Sequence, residues 1–187
     1  MTSFQNDLRL NQDLTCNEVT ELCILGILFN DGHSENSLLK VVRSFDTGSW
    51  QPTRDVLTHA LTRLLQAQAV ITWEFEKTQY FSINAIGIKR YFNLLQKPLT
   101  RDRLLINTLL VLKSAFLETL PQPIQGNVIQ QLVQYYQNQL DFIQTNCIHC
   151  PLNQHQQHRQ NTYKLNHIQL ELDWLSNLQI QERERPS

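Results

Sequence analysis

Hydrophobic residues recur every three or four positions in three segments near the start of the chain. The segments are NEVTELCILGILF (17–29), ENSLLKVVRSF (35–45) and TRDVLTHALTRLL (53–65). This spacing gathers the apolar side chains of each segment on one side of a helix. In the third segment the residues expected to face inward are Val56, Leu57, Ala60, Leu61, Leu64 and Leu65. The pattern therefore predicts three helices, of which the first is mostly buried.

Strand-forming residues follow the third helical segment. AVITWEFE (69–76) and QYFSI (79–83) are rich in β-branched and aromatic residues, and KT (77–78) between them predicts a tight turn. Helical spacing returns in NAIGIKRYFNLLQK (84–97), with Ile86, Tyr91 and Leu94 or Leu95 expected on the inner side. The order of three helices, a hairpin and a fourth helix is typical of a winged helix-turn-helix domain.

Polar residues and glycines mark the predicted ends of these helices. Asn17, Ser34 and Thr53 can each accept hydrogen bonds from the free amides of a first helical turn, and Ser49 is an alternative to Thr53. Gly32 follows the first helix, at a point where a glycine with positive φ is expected. These positions predict separate helices with short connections.

The second half of the chain shows helical patterns throughout. RDRLLINTLLVLKSAFLETL (101–120) is predicted to be one long apolar helix, and GNVIQQLVQYYQNQLDFIQTN (126–146) a second. YKLNHIQLELDWLSNLQIQ (163–181) carries an apolar stripe. The stripe and its flanking residues are Leu165, Ile168, Leu172, Trp174, Leu175 and Leu178. Because such a stripe is too apolar to stay exposed, these six residues are predicted to form a homodimer interface.

The expected fold class is α+β and mostly α. Residues 1–17 are polar and form a predicted N-terminal arm, and residues 18–97 form the predicted winged helix. Residues 98–187 form a predicted helical dimerisation domain. The boundary between these two domains is placed at Pro98, in the segment QKPLT.

Composition and charge narrow the classes of function. The 187 residues are 41% hydrophobic and 18% charged, a balance typical of a globular protein. The net charge is −1, so strong nonspecific binding to nucleic acid is not expected. No apolar run is long enough to cross a membrane, the first residues do not resemble a signal peptide, and four cysteines do not make a disulfide scaffold. The protein is expected to be cytoplasmic, without membrane association.

Catalytic motifs are missing from the sequence. It contains no glycine-rich phosphate loop, no G-x-S-x-G and no H-E-x-x-H. The five glycines leave little room for a nucleotide cradle. We therefore expect a protein that is not an enzyme and that carries no cofactor.

The segment CIHCPLNQHQQH (147–158) allows three interpretations. Cys147 and Cys150 with His155 and His158 are of the residue types that bind zinc, and the two cysteines alone fit a redox pair. The third interpretation is a polar loop with incidental histidines. The short spacing after Cys150 is unlike that of a zinc finger, so no metal site is assigned.

Four segments of the chain carry a family resemblance. They are ILGILFNDGHSENSLLKVV (24–42), WQPTRDVLTHALTRLLQAQAV (50–70), YFSINAIGIKRY (80–91) and TYKLNHIQLELDWLSNL (162–178). In this order they resemble the PadR family of bacterial transcription regulators, in its longer form with a helical C-terminal domain. Thr58 and Ala69 stand where that family has tyrosine and glycine, and the hairpin lacks the family's basic stretch. The resemblance implies a homodimeric regulator, expected to be a repressor, on a pseudo-palindromic operator in double-stranded DNA.

The resemblance also places candidate DNA contacts on the third helix and at the hairpin tip. The candidates are Thr53, Arg54, Thr58, His59, Arg63 and Lys77. Arg54 can read guanine or hold phosphate, Thr58 and His59 can contact bases or backbone, and Arg63 and Lys77 can hold phosphate. Lys89 and Arg90, at the start of the next helix, can also bind the phosphate backbone of DNA. The competing interpretation is that these residues are only the solvated side of an amphipathic helix.

A second class of function also fits the sequence. The net charge near zero, the short hairpin and Thr58 suit a winged-helix protein with reduced DNA binding that acts through a protein partner. Trp50 and Trp174 can line a pocket for a small-molecule effector or serve as plain core residues. No effector can be named from them.

Overall fold

The computed structural model describes residues 13–45, 50–147 and 154–184, without the side chains of residues 146–147, 154–158 and 181–184. The first helices are α1 (Cys16–Leu28), α2 (Glu35–Ser44), α3 (Arg54–Gln66) and α4 (Ala85–Gln96). The strands are β1 (His33–Ser34), β2 (Val70–Phe75) and β3 (Thr78–Ile83). Next come α5 (Ile106–Ala115), a 3-10 turn (Leu117–Thr119), α6 (Gln122–Cys147) and α7 (Gln154–Glu184). The expected fold class is confirmed: a winged helix followed by helices.

Helix α1 is the central helix of the winged-helix part, and all its residues from 19 to 28 are buried. It begins with a capping box. The Thr15 hydroxyl accepts a hydrogen bond from the Glu18 amide at 3.3 Å, and the Glu18 carboxylate accepts one from the Thr15 amide at 3.0 Å. The cap is therefore Thr15, and the prediction of Asn17 is wrong by two residues.

The three strands form one antiparallel sheet in the order β1-β3-β2. Pairing of β2 with β3 runs without interruption from Val70 opposite Ile83 to Phe75 opposite Thr78. The turn between them consists of Glu76 and Lys77, whose φ angles are 48° and 61°. A two-residue turn with positive φ at both positions matches the twist of a hairpin. The turn thus begins one residue earlier than the predicted KT.

The start of α4 is fixed against the end of α3. The Asn84 side chain accepts hydrogen bonds from the amides of Ile86 and Gly87 and donates one to the Gln68 carbonyl at 2.8 Å. A Cβ atom on Gly87 would lie 2.1 Å from the Ala69 carbonyl oxygen, so only glycine permits this approach. The inward-facing residue of this turn is Gly87. Ile86, expected to be buried, is 54% exposed.

An aromatic cluster closes the core beside α1. The Tyr91 ring lies between two phenylalanine rings, with its centroid 5.4 Å from that of Phe29 and 5.9 Å from that of Phe116. A Cβ atom on Gly26 would lie 2.3 Å from the Phe116 ring. Because Gly26 has no side chain, the Phe116 ring can pack directly against the backbone of α1.

The predicted helix over residues 101–120 is shorter than expected. The Asp102 carboxylate accepts a hydrogen bond from the Leu104 amide at 2.8 Å, which holds a turn ahead of α5. Helix α5 then carries Lys113, which is fully buried. Its ammonium group donates to the Leu95 and Lys97 carbonyls at 2.7 and 2.6 Å, where α4 ends. Lys113 thereby fastens α5 to the end of the winged helix.

The chain divides into two compact units, Met1–Ile124 and Gln125–Ser187. The boundary at residue 98, drawn between a winged helix and a dimerisation domain, stays a prediction. In the second unit Ile168 and Leu175 of α7 are buried, and Tyr136 of α6 is 8% exposed. Burial raises the pKa of Tyr136, and the nearby Glu171 carboxylate raises it further. Among the helices of the described ranges, none has both the length and the apolar character needed to cross a bilayer.

Candidate nucleic-acid interface

Helix α3 opens with a capped first turn and a solvent-exposed polar face. The Thr53 hydroxyl accepts a hydrogen bond from the Val56 amide at 3.4 Å, which confirms Thr53 as a cap. The buried side of the helix consists of Leu57, Ala60, Leu61 and Leu64. The exposed side carries Thr53, Arg54, Asp55, Val56, Thr58, His59, Thr62 and Gln66. Val56, expected to face inward, is 40% exposed and adds an apolar group to this face.

Arg54 lies at the start of α3 and reaches across to the first turn of α2. Its Nη2 donates to the Asn36 side-chain oxygen at 2.7 Å, and its Nη1 lies 3.8 Å from a Glu35 carboxylate oxygen. The Arg54 side chain is 58% exposed. An exposed ion pair of this kind contributes little and breaks readily. The guanidinium is therefore available to another acceptor, at the loss of these two contacts.

Thr58 shares the same carboxylate. Its hydroxyl lies 3.1 Å from a Glu35 oxygen and 2.9 Å from the Arg54 carbonyl. A hydroxyl has one proton to donate, so it can bond fully to only one of these acceptors at a time. Thr58 and Arg54, two predicted DNA contacts, thus both face Glu35.

Glu35 is a site residue that the sequence analysis missed. It is the first residue of α2, directly after the confirmed cap Ser34. A carboxylate there interacts favourably with the amide end of the helix, a local reason for its presence. A capping serine followed by glutamate signals the start of a helix. Nothing in the sequence pattern shows that this start lies against α3.

Arg63 has a different environment from Arg54. Its Nε donates to a Glu21 oxygen at 2.9 Å, while Arg90 binds the second oxygen through Nε at 3.0 Å and also through Nη2. The Glu21 side chain is only 4% exposed. A buried carboxylate needs such partners, because a lone charge would be strongly destabilised. Arg63 and Arg90 are therefore engaged in joining α1, α3 and α4, and their contact with phosphate stays a prediction.

The remaining predicted contacts lie at the surface. His59 is exposed on α3, and Lys77 is exposed in the turn of the hairpin. Glu74 and Glu76 are exposed close to Lys77 in the chain. The hairpin tip therefore offers phosphate one cation next to two carboxylates.

The outer face of the hairpin carries exposed apolar residues that the sequence analysis did not single out. Ile71, Trp73 and Phe75 are 53%, 44% and 60% exposed. The Trp73 ring stacks on Tyr80 with centroids 5.5 Å apart. A Cβ atom on Gly32 would lie 2.0 Å from the Trp73 ring, so this glycine makes room for the indole. The expected positive φ at Gly32 is wrong, since its φ lies outside that range.

The cysteine- and histidine-rich segment falls outside what the structure describes. Cys150 has no described position, and the side chains of Cys147, His155 and His158 are not described. Its three interpretations stay open. Within the described ranges no group of three metal-binding side chains occurs. Cys23 lies in the core of α1, where burial raises the pKa of its thiol to about 12. Cys23 is therefore a packing residue.

The predicted dimer stripe is partly covered within the protomer. Ile168 and Leu175 are 7% and 0% exposed, and Leu165, Leu172 and Leu178 are half-buried. Trp174 remains 39% exposed, and Leu170 nearby is 67% exposed. The homodimer interface stays a prediction, and its accessible part lies around these two residues.

Solved structures with a similar arrangement come from bacterial regulators. Bacillus subtilis PadR in complex with p-coumaric acid matches at 14% identity and a TM-score of 0.40, over 92% of this chain and 99% of that one. Bacillus subtilis PadR in complex with operator DNA matches at 13% identity and a TM-score of 0.38, over 87% of this chain and 98% of that one. A PadR-like transcriptional regulator from Bacillus cereus matches at 11% identity and a TM-score of 0.41, over 88% of this chain and 98% of that one. The structural neighbours are PadR and PadR-like regulators.

This finding agrees with the family resemblance seen in the sequence. No family model and no curated protein matches the chain. At these identities and TM-scores, the PadR likeness concerns the arrangement of elements. It assigns no role to any residue of this chain.

Proposed function

We propose that the protein is a PadR-like transcriptional regulator that binds double-stranded DNA through α3. The observation that supports this most directly is the position of α3 in its own fold. Its capped N-terminal turn and polar face, with Arg54, Thr58 and His59, are exposed in a winged helix. In winged-helix proteins this element enters the major groove, with its first residues on base edges.

Several exposed residues at the start of α3 have a proposed part in this contact. Arg54 leaves Glu35 and Asn36 and binds a guanine edge, for which a guanidinium is suited. Thr58 and His59 contact neighbouring bases or the backbone, and Val56 lies near a thymine methyl group. Thr53 contacts phosphate at the helix start, and Lys77 contacts it from the hairpin. These assignments follow from their positions and stay predictions.

Few cations on this surface are free to bind phosphate, so we infer that tight DNA binding requires a dimer. Arg63 and Arg90 bind Glu21, Arg54 lies near Glu35, and Lys77 directly follows Glu76 and is close to Glu74 in the chain. One domain therefore neutralises few phosphates, and its DNA affinity should be low. Two linked domains on a pseudo-palindrome raise the affinity through effective concentration. We propose a homodimer of this kind, acting as a repressor in the cytoplasm by occupying its operator.

Selection of DNA from the host genome tests this function. Full-length protein is mixed with genomic fragments at low salt, bound fragments are sequenced, and the recovered site is titrated by gel shift at several salt concentrations. We expect a two-fold symmetric site with half-sites about one or two helical turns apart and a shallow salt slope. Failure to retain any fragment at low salt would overturn the proposal.

A second candidate function is supported by the same charges. Two of the arginines near the DNA face are bound to a buried carboxylate, and the hairpin exposes apolar side chains. These features suit a winged-helix protein that acts through a protein partner. The genomic selection separates the two candidates, since only the first retains DNA. Control by a small-molecule effector stays a prediction, and no ligand is assigned.

A further inference from the structure

One face of β2 is apolar and open to solvent. Ile71, Trp73 and Phe75 alternate along the strand and therefore point to the same side. Across the sheet, Trp73 is paired with Tyr80, and the two rings stack. The opposite side of the hairpin faces the core, where Val70 and Phe81 are buried. Exposed apolar side chains grouped in this way mark interaction sites more often than single ones do.

The same strand has a free edge. In the order β1-β3-β2, the outer edge of β2 has no neighbouring strand among the described residues. The hydrogen bonds of a two-residue turn join the flanking residues Phe75 and Thr78, and bonded pairs alternate along an antiparallel ladder. Thr72 and Glu74 therefore direct their amide and carbonyl groups away from β3. An incoming strand would bond to these groups.

Of the features that commonly protect an edge strand from pairing, this strand has one charged residue, Glu74. Edge strands are commonly blocked by lysine, proline or a bulge. The six residues VITWEF contain no lysine and no proline, and their register with β3 is uninterrupted. The outer edge of β2 is thus regular enough to accept another strand.

The charges around the strand indicate what kind of segment it accepts. Glu74, Glu76 and Asp31 are exposed, and Asp31 adjoins Gly32, on which Trp73 packs. Lys77 is the cation of the adjacent turn. Three carboxylates against one ammonium group give this side of the hairpin a net negative charge, and a second copy of the chain would bring the same charges against it. A segment that carries lysine or arginine is attracted.

We propose that β2 is a docking strand for an extended segment of a partner protein in which apolar residues alternate with lysine or arginine. The segment adds to the outer edge of β2, a recognised mode of peptide binding. Its apolar side chains cover Ile71, Trp73 and Phe75, and its cations lie on the side of Glu74. This interaction is separate from DNA binding and does not depend on it.

Fluorescence anisotropy with the full-length protein tests the proposal. The probe is a labelled eight-residue peptide that alternates arginine with valine. One comparison peptide replaces each arginine with glutamate, and another has the same composition as a block of four arginines and a block of four valines. We expect the alternating peptide to bind at least about tenfold more tightly than either. Equal binding of the alternating and block peptides would mean attraction by charge alone and would overturn the proposal.

Two variants locate the binding at β2. Ile71→Thr combined with Phe75→Thr keeps β-forming residues but removes apolar surface, and should weaken binding at least about tenfold. Thr72→Pro removes an outward amide, as edge strands tolerate, and should weaken it similarly. Leu104→Thr is the matched control, because Leu104 is 70% exposed elsewhere in the chain. Circular dichroism and the melting temperature show whether each variant is folded. If Thr72→Pro does not fold, the binding measured with the threonine double variant alone decides whether the site is at β2.

Other occupants of the strand give distinct results. Sedimentation of the wild-type protein and the threonine double variant tests a second copy: self-association lost in the variant would overturn the proposal. Anisotropy with a single-stranded oligonucleotide tests stacking of bases on the aromatic residues. Binding of that probe that the double variant abolishes would also overturn it. Unchanged peptide binding by the double variant would place the site elsewhere.

Discussion

At the scale of single residues, two glutamates determine what the arginines near the proposed DNA face can do. Glu21 is buried and holds Arg63 and Arg90 as partners. Glu35 is partly exposed and holds Arg54 only loosely, at 3.8 Å. Removing an arginine from Glu21 would leave a buried charge poorly compensated. Releasing Arg54 leaves Glu35 in contact with water, so Arg54 is the arginine that can exchange its partner for DNA.

This difference leads to a prediction for Arg54 and Lys77. Arg54→Ala should cost about 1–3 kcal/mol on the operator and reduce the preference for operator over random DNA, as expected for a base contact. Lys77→Ala should weaken both DNAs alike and lower the salt slope by about one, as expected for a phosphate contact. Gel-shift titration of each variant on both DNAs, at several salt concentrations, measures these effects.

Glu35→Gln serves as the control for the residue-scale prediction. It keeps the shape of the side chain but removes a charge beside Arg54 and Thr58. Affinity for both DNAs should therefore increase. If Arg54→Ala weakens operator and random DNA equally, Arg54 is a phosphate contact, and reading must fall to Thr58 or His59. If none of the three changes alters binding, this face of α3 does not touch DNA.

At the scale of elements, two glycines give opposite predictions for the same substitution. Gly87 lies where α4 packs on Ala69, and an added Cβ would meet a backbone oxygen at 2.1 Å. Gly87→Ala should destabilise the protein by about 1–3 kcal/mol, because the backbone must shift. Gly126 lies in α6 with nothing within 4 Å of the added atom. Gly126→Ala should stabilise by about 0.4–1 kcal/mol through reduced freedom of the unfolded chain.

Chemical denaturation of both alanine variants beside the wild type measures the two effects. Because the chemistry of the substitution is identical, the comparison isolates the packing around each glycine. Equal stability of the Gly87→Ala and wild-type proteins would contradict the close contact between α4 and the end of α3.

The junction of α4 and α5 predicts a dependence of stability on pH. Burial lowers the pKa of Lys113 to about 7, whereas an unfolded lysine keeps its proton to about pH 10.5. Above pH 7 the unfolded chain therefore binds more protons, and the free energy of unfolding should rise with pH. The two carbonyl acceptors favour the charged ammonium and oppose this effect, so we expect about 1 kcal/mol between pH 7 and 9.

Denaturant titrations at pH 7, 8 and 9 measure this slope, with Lys113→Met as the control that should remove it. Higher pH is avoided because burial raises the pKa of Cys23 and Tyr91. As pH rises further, Cys23 and Tyr91 lose their protons in the unfolded chain before they do so in the folded protein, and this lowers the free energy of unfolding. A wild-type protein whose stability does not change between pH 7 and 9 would show that Lys113 stays charged in the fold.

At the scale of the whole molecule, the order of elements could be predicted from the sequence because periodicity and caps are local signals. Ser34 and Thr53 are caps as predicted. The partners of the arginines could not be predicted, because Glu21 lies 42 residues from Arg63 and 69 from Arg90. Only the packing of α1 against α3 and α4 brings these charges together.

The same limit applies to exposure near helix ends. Val56 and Ile86 fit an apolar face by spacing, yet they are 40% and 54% exposed, while Leu57 and Gly87, the next residues of the same first turns, face inward. Gly32 matches a helix-ending pattern, yet its lack of a side chain accommodates Trp73 from another element. Local patterns thus locate the elements, while the surface that functions depends on contacts distant in sequence.

The proposed homodimer gives the last prediction. Trp174 and Leu170 are accessible on α7, whereas Leu175 is fully buried in the protomer, so a charge at Leu175 would unfold the unit. Leu170→Asp combined with Trp174→Asp should leave the protomer folded and place two carboxylates in the interface. Burying unpaired carboxylates costs several kcal/mol, so the dimer dissociation constant should rise about a hundredfold or more. Sedimentation equilibrium over a range of concentrations measures it.

Leu104→Asp, at an exposed apolar residue outside α7, is the matched control and should leave the dimer intact. The monomeric variant keeps every residue of α3 and the hairpin, so each protomer can still occupy one half-site. It loses the gain in effective concentration that links two half-sites. Its affinity for the full operator should therefore fall to that of a half-site. A folded double variant that remains dimeric would show that α7 does not form the interface through Leu170 and Trp174.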